Sequence, residues 1–214
     1  DSSVPFRTLK FDMRKYFKIS RNYSFAARLM LGKSIGDKAQ KFFLGGNSQF
    51  TIFSDTQTEG RDDSGFYAQR VLEYDNTSIL EDVYFSEYVF PLRGARYRER
   101  VGENVAIANF EFRFPFVNYV DVSFPARIRF GNIFGHLFLD VGAAWDDSNE
   151  FDSSQIIRDK YGLTDPEASP ILTTFGIGAK IFTGFGIVRL DTAWDKYSSG
   201  YSKPQYIISV GYDW

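Results

Sequence analysis

Residues 205–214 read QYIISVGYDW, and in an extended chain Tyr206, Ile208, Val210, Tyr212 and Trp214 fall on one face, Gln205, Ile207, Ser209, Gly211 and Asp213 on the other. Period-two alternation of this kind marks a strand whose two faces meet different surroundings. The stretch 186–194 repeats it, with Val188, Leu190 and Trp194 opposite Arg189, Asp191 and Ala193. So does 171–182, with Phe175, Ile177, Ala179 and Ile181 opposite Gly176, Gly178 and Lys180. Thr183-Gly184-Phe185-Gly186 joins these two as a tight hairpin.

The pattern continues toward the N-terminus. In 136–145, Leu137, Leu139, Val141, Ala143 and Trp145 oppose His136, Phe138, Asp140 and Gly142, in a strand whose start reaches back as far as Ala126. In 104–116, Phe110, Phe112 and Phe114 oppose Asn109, Glu111 and Arg113. Leu9, Phe11 and Met13 oppose Lys10, Asp12 and Arg14, and Phe25, Ala27, Leu29 and Leu31 oppose Ala26, Arg28 and Met30. Seven strands are expected, with Val83 to Pro91 as a candidate eighth and a weaker signal at 49–53. The long connections are 33–101 and 146–169, and with neither a linker nor a repeat in between, residues 1–214 read as a single β domain. A connection of the first length carries structure of its own.

Composition agrees. The 23 Phe, 13 Tyr and 3 Trp make 18% of the chain aromatic, beside 18 Gly and 2 Met, a bias toward strands. With 25 Lys+Arg against 27 Asp+Glu the net charge is −2, which argues against a nucleic-acid partner. Apolar residues at 43% exclude a disordered chain. The absence of Cys removes disulfides, thiolate metal sites and a Cys nucleophile. The chain begins at Asp1, which suggests a processed protein or a piece of a longer one, the latter being favoured.

A soluble β-sandwich serving as a binding module would also alternate. Three features favour a transmembrane barrel instead: aromatics near strand ends, turns that alternate short and long, and a final strand that ends in an aromatic residue. A spanning strand needs only about 9–11 residues, so a low mean hydropathy is no obstacle. The expected fold is an all-β, antiparallel, up-and-down membrane barrel.

Several short motifs carry a family resemblance. They are Phe11-Asp12-Met13-Arg14-Lys15-Tyr16, Phe42-Phe43-Leu44-Gly45-Gly46, the Arg93-Gly94 pair in a long loop, Phe138-x-Asp140-x-Gly142, and the hairpin from Phe175 to Asp191. Together and in this order they resemble the BamA-type superfamily of outer-membrane barrels, the bacterial surface antigen family. The resemblance implies a barrel of about sixteen strands, of which this chain would be the C-terminal half with seven to nine. It implies that the loop bearing Arg93 and Gly94 folds into the lumen and docks on Phe138, Asp140 and Gly142. Glu111, Arg113, Gly176, Gly178, Arg189 and Asp191 would share the polar lumen face. The last strand, with Tyr206, Ile208, Val210, Gly211, Tyr212 and Trp214, would be the seam and assembly signal, and Gly211 would weaken pairing there.

By the same resemblance the protein would reside in the bacterial outer membrane, contact its lipids, and insert or translocate unfolded outer-membrane clients through a lateral seam, with accessory lipoproteins or periplasmic domains as further partners. The alternative within the family is a barrel that anchors an upstream patatin-like lipase. Two departures stand out: Ala95 follows Arg93-Gly94 where an aromatic is usual, and about 45 residues separate Gly46 from Leu92 where many relatives have few. That insertion would be an extra surface hairpin or a partner platform.

Catalysis is not expected of this chain, nor is a cofactor or a metal. His136 is the single histidine, and a Gly-x-Ser-x-Gly elbow is missing. The acidic clusters at Glu59, Asp62 and Asp63 and at Asp146, Asp147, Glu150 and Asp152 lack EF-hand spacing and read as solvated loop.

Overall fold

The computed structural model describes residues 6–36, 39–46, 50–54, 87–89, 92–95, 100–122, 128–146, 171–183, 186–196 and 200–211. These residues form eleven strands: β1 (Phe6–Lys18), β2 (Ser24–Gly36), β3 (Phe42–Leu44), β4 (Phe50–Ser54), β5 (Glu87–Val89), β6 (Arg100–Gly102), β7 (Asn104–Val122), β8 (Ile128–Trp145), β9 (Leu172–Thr183), β10 (Gly186–Asp195) and β11 (Gln205–Gly211). The main sheet has the order β1-β2-β7-β8-β9-β10-β11-β4, and each neighbouring pair is antiparallel. A second sheet has the order β5-β3-β6. Among the described residues β1 and β4 are the two ends of the main ladder.

The sheet is polar on its covered face and apolar on its open one. His136 is fully buried while its neighbour Leu137 is 46% exposed. The same phase runs across the ladder: Asn109, Glu111, Asp140, Thr174, Lys180, Arg189, Asp191 and Ser209 are buried, whereas Leu139, Ile177, Leu190 and Tyr206 are exposed. Strand register produces this, because directly opposed residues share a face. Glu111 pairs with Phe138, Phe138 with Gly176, and Gly178 with both His136 and Asp191. In water such a surface would be untenable, whereas it suits a sheet whose open face meets lipid. The covered face is called the inner face below.

All seven expected strands lie in the main sheet, as β1, β2 and β7 to β11. The stretch 33–101 needs correction. β2 runs to Gly36, inside the stretch expected to be loop. The segment around 87–89 does not join the main sheet but pairs parallel with β3, while 50–54, the weaker candidate, joins the main sheet beside β11. Ahead of the Gly46–Leu92 insertion, Phe42, Phe43 and Leu44 of β3 are fully buried. With Met30, Leu92, Ala95, Val105, Ile107, Ala144 and Leu172, Phe42 and Leu44 make an apolar cluster at the long-loop end of the inner face. A run buried on every side shows no alternation, so periodicity could not place it.

β7 also runs further than its clear alternation, passing Pro115. The register shifts between Pro115 and Val117, and this bulge accommodates a residue that cannot donate to the ladder. Val83 to Ser86, Phe90, Pro91, Gly184, Phe185, Ala126, Arg127, Asp147 to Ser169, Glu59, Asp62, Asp63, Tyr212 and Trp214 lie outside the described residues.

Candidate functional site

The segment 92–95 enters from the long-loop side and lies against the inner face. Leu92 donates its amide to Gly46 O at 3.0 Å and forms a bridge with it. Gly45 and Gly46 both have positive φ, 116° and 95°, a conformation that non-glycine residues rarely adopt. Gly94 has φ 86°, and a Cβ built on it would stand 2.7 Å from Ala193 Cβ. The turn therefore requires glycine both for its backbone and for its approach to β10. Gly142 does the equivalent on β8, where an added Cβ would meet Leu92 Cδ1 at 2.7 Å.

This placement delivers Arg93, 1% exposed, to the middle of the sheet. Its Nε donates to Asp140 Oδ2 at 2.8 Å, its Nη2 to Asp140 Oδ1 at 2.9 Å, and its backbone N to Asp140 Oδ2 at 3.1 Å. The fork is bidentate, the arrangement a planar guanidinium favours with a carboxylate. Nη1 donates to Glu111 Oε2 at 2.7 Å, and the guanidinium carbon stands 3.9 Å from the centre of the Phe138 ring. Arg93 thus touches three strand residues at once, a carboxylate on each of β7 and β8 and an aromatic face between them. Burial works against its charge, but Asp140 and then Glu111 outweigh it and raise the guanidinium above its ordinary pKa.

Glu111 is the second hub. Its Oε1 accepts from Arg113 Nε at 2.7 Å and from Lys180 Nζ, and its Oε2 accepts from Arg93 and from Arg189 Nη2 at 3.2 Å. Asp140 also accepts from Asn109 Nδ2 at 3.0 Å. Asp191 meets His136 Nε2 at 2.7 Å and Arg189 Nε at 3.7 Å. Three carboxylates and the basic side chains of Arg93, Arg113, Lys180 and Arg189 thus form one largely buried network over β7 to β10. A buried charge without partners costs several kcal/mol, so such a cluster persists only when its members satisfy one another.

The two glycines on β9 make the space. A Cβ on Gly178 would fall 2.1 Å from Asp191 Oδ1 and 2.6 Å from His136 Cε1, and one on Gly176 would fall 2.5 Å from Phe138 Cζ. Of the expected site residues, Arg93, Phe138, Asp140, Glu111, Arg113, Arg189 and Asp191 are thus in contact in one network, with Gly94, Gly142, Gly176 and Gly178 as its clearances. Lys180 and Asn109, read from the sequence only as polar-face residues, belong to it as well, and so does His136, read there as a structural histidine on the same face. Their signal was available, because the short β9–β10 connection sets Lys180 opposite Arg189 and Gly178 opposite Asp191. His136 is fully buried, as a structural histidine would be.

The residues expected at a seam are elsewhere. Tyr206, Ile208 and Val210 lie on the outer side of β11, and Gly211 pairs with Ile187 at the end of that strand. At the long-loop rim, Lys41 Nζ bridges Glu103 Oε1 at 2.9 Å and Asp146 Oδ1 at 3.0 Å, tying the lead-in of β3 to the start of β7 and the end of β8. Burial opposes the Lys41 charge, but the two carboxylates prevail and raise its pKa. Among the described residues no cluster of His, Asp or Glu is arranged to hold a metal ion.

Comparison with curated proteins gives no match. A family model does match, described as the Omp85 superfamily domain, and it spans residues 1–214. An antiparallel sheet with an apolar outer face, an inner face of buried charge and a match along the whole sequence lead to one assignment: the chain belongs to the Omp85 superfamily of outer-membrane β-barrels.

Proposed function

We propose that this chain is the C-terminal half of the membrane barrel of an outer-membrane protein insertase or translocase, working on unfolded client proteins at a lateral seam. The superfamily serves insertion and translocation in general. The observation that carries the narrower reading is the loop pinned by Arg93. The loop segment 92–95 lies against the inner face, held there by a buried ionic network, which supports a lumen obstructed by its loop rather than an open diffusion pore and leaves the strand edge as the place where a client could be received. There an incoming strand would add by backbone pairing, with its sequence largely immaterial, as suits a machine with many clients. In this role the Arg93 network holds the wall rigid so that opening is confined to the seam. Outer-membrane lipids, clients, and accessory lipoproteins or periplasmic domains are the proposed partners, and catalysis has no part.

The test is reconstitution of the natural polypeptide into liposomes, followed by the folding of an unfolded outer-membrane barrel, read as heat-modifiable gel mobility. Client folding faster than in liposomes carrying an unrelated barrel is expected. Equal rates would refute the reading, and lipid hydrolysis by the same preparation would favour the anchored-lipase alternative.

A further inference from the structure

The outer face of the sheet has two rims. At the end where short connections join β1 to β2 and β9 to β10, the rim is aromatic: Phe17 and Phe25 have ring centres 6.1 Å apart, and Tyr23 stacks on Phe112 at 6.1 Å. At the long-loop end of β9 and β10 it is aromatic again, with Phe175 5.9 Å from Trp194 and 5.5 Å from Tyr201. On β1 and β2 the outer positions at that end hold two exposed cations instead, Arg7 and Lys33.

Their facing follows from register. Lys33 pairs with Leu9 and Arg7 with Ile35, so the two cations are diagonal neighbours on the face that exposes Leu9, Leu31 and Ile35. The residues between them point inward: Ser34 is buried and accepts from the Gln40 amide, and Thr8 donates to Gln40 Oε1. Ten positions separate Arg7 from Phe17 along β1. At about 3.3 Å per residue and a tilt of about 40°, this spans roughly 25 Å of depth, the height of an apolar membrane band. Arg7 and Lys33 therefore stand at the boundary on the long-loop side, with Phe11 and Met13 in the hydrocarbon below them.

We propose that Arg7 and Lys33 bind the phosphate of a phosphorylated lipid whose acyl chains lie along Leu9, Phe11 and Leu31. Lys15, the other outward cation of β1, stands 5.9 Å from the centre of the Phe17 ring. Among the described residues the side chains of Arg7 and Lys33 have no hydrogen bond and no ion pair. The rim carboxylates Glu103 and Asp146 are engaged by Lys41. Two unengaged cations attract an anion, and the apolar residues beneath them favour hydrocarbon on the same molecule. A phosphorylated amphiphile carries both, whereas a soluble anion carries only the first. The guanidinium offers the phosphate oxygens a planar fork and the ammonium a point charge. The site rests on membership of an outer-membrane barrel superfamily and not on the insertion activity proposed above.

The experiment uses the natural polypeptide purified in a non-ionic detergent, mixed with bisphosphorylated lipid A and read by native mass spectrometry. Retention by the parent is expected, with a loss of about tenfold or more in Arg7→Gln combined with Lys33→Gln. Lys15→Gln should retain the lipid as the parent does. Equal retention by the parent and the double variant overturns the proposal. So does equal retention, by the parent, of lipid A and of the same lipid stripped of its phosphates. Displacement by an equal concentration of inorganic phosphate overturns the lipid as the occupant. If the double variant gives no heat-modifiable barrel, Lys33→Gln alone carries the test, and unchanged retention there refutes the site.

Discussion

Replacing Arg93 by Met keeps most of the side-chain length and removes the charge. In the parent, Arg93 gives Asp140 three hydrogen bonds, at 2.8, 2.9 and 3.1 Å, and Glu111 one at 2.7 Å. The two carboxylates then fare differently. Glu111 retains Arg113, Lys180 and Arg189 and is barely affected. Asp140 retains the bond from Asn109 and the amide of residue 93, and it stays fully buried. Charge-assisted bonds contribute about 1.5–3 kcal/mol each, but they are not additive here. Removing one partner of a buried pair costs about 3–5 kcal/mol, the more relevant measure. At 1.4 kcal/mol per tenfold, the docked-to-undocked ratio of the loop should fall by roughly two to three and a half orders of magnitude. Hydrogen–deuterium exchange of the 92–95 amides reads this ratio directly, because they exchange through undocking. Adding Asp140→Leu to Arg93→Met should restore much of the protection, since the orphaned charge is then gone. Unchanged exchange in both Arg93→Met and Asp140→Leu would refute the idea that this pair docks the loop.

Gly94→Ala should release the same loop with all charges intact, because its φ of 86° and the 2.7 Å approach to Ala193 Cβ both oppose a side chain. Ala193→Gly should relieve the collision and leave a backbone cost of about 1–2 kcal/mol, seen as partial recovery of protection. Lys41→Met should lower stability by about 1 kcal/mol at neutral pH, measured by urea unfolding. The lysine pKa is raised by folding, so its contribution is full below the ordinary value of 10.5 and disappears as pH climbs through the folded value; parent and variant should converge there. Deleting Trp214, the last aromatic of the alternating sequence 205–214, should reduce the yield of heat-modifiable barrel in membranes.

The long strands were legible because each has two unlike faces, and seven stretches of alternation became seven strands of the main sheet. The Arg93–Asp140 contact was not legible in that way. Alternation puts Asp140 on the polar face but cannot say what reaches it from a distant loop, and only the family resemblance pointed to Arg93. Lys180, Asn109 and His136 were readable as polar-face residues, yet their convergence needed the register across four strands. β3, β5 and β6 are three residues each and pair in a mixed sheet, too short for a period to register. β4 was legible only as a weak strand, since its pairing with β11 depends on a bulge and on a separation of more than 150 residues.

The inversion of the sheet, with charge inside and hydrocarbon outside, has a consequence for how such a chain travels. Alternation interleaves the lipid-facing residues with polar ones, and the mean hydropathy is −0.27. A membrane that sorts proteins by long apolar helices, about 18 or more residues in a row, finds little in such strands to retain. The greasy belt does not exist as a property of any segment. It comes into being when neighbouring strands align their odd or even residues, so the affinity for lipid arises with the fold, at the membrane where that fold is made.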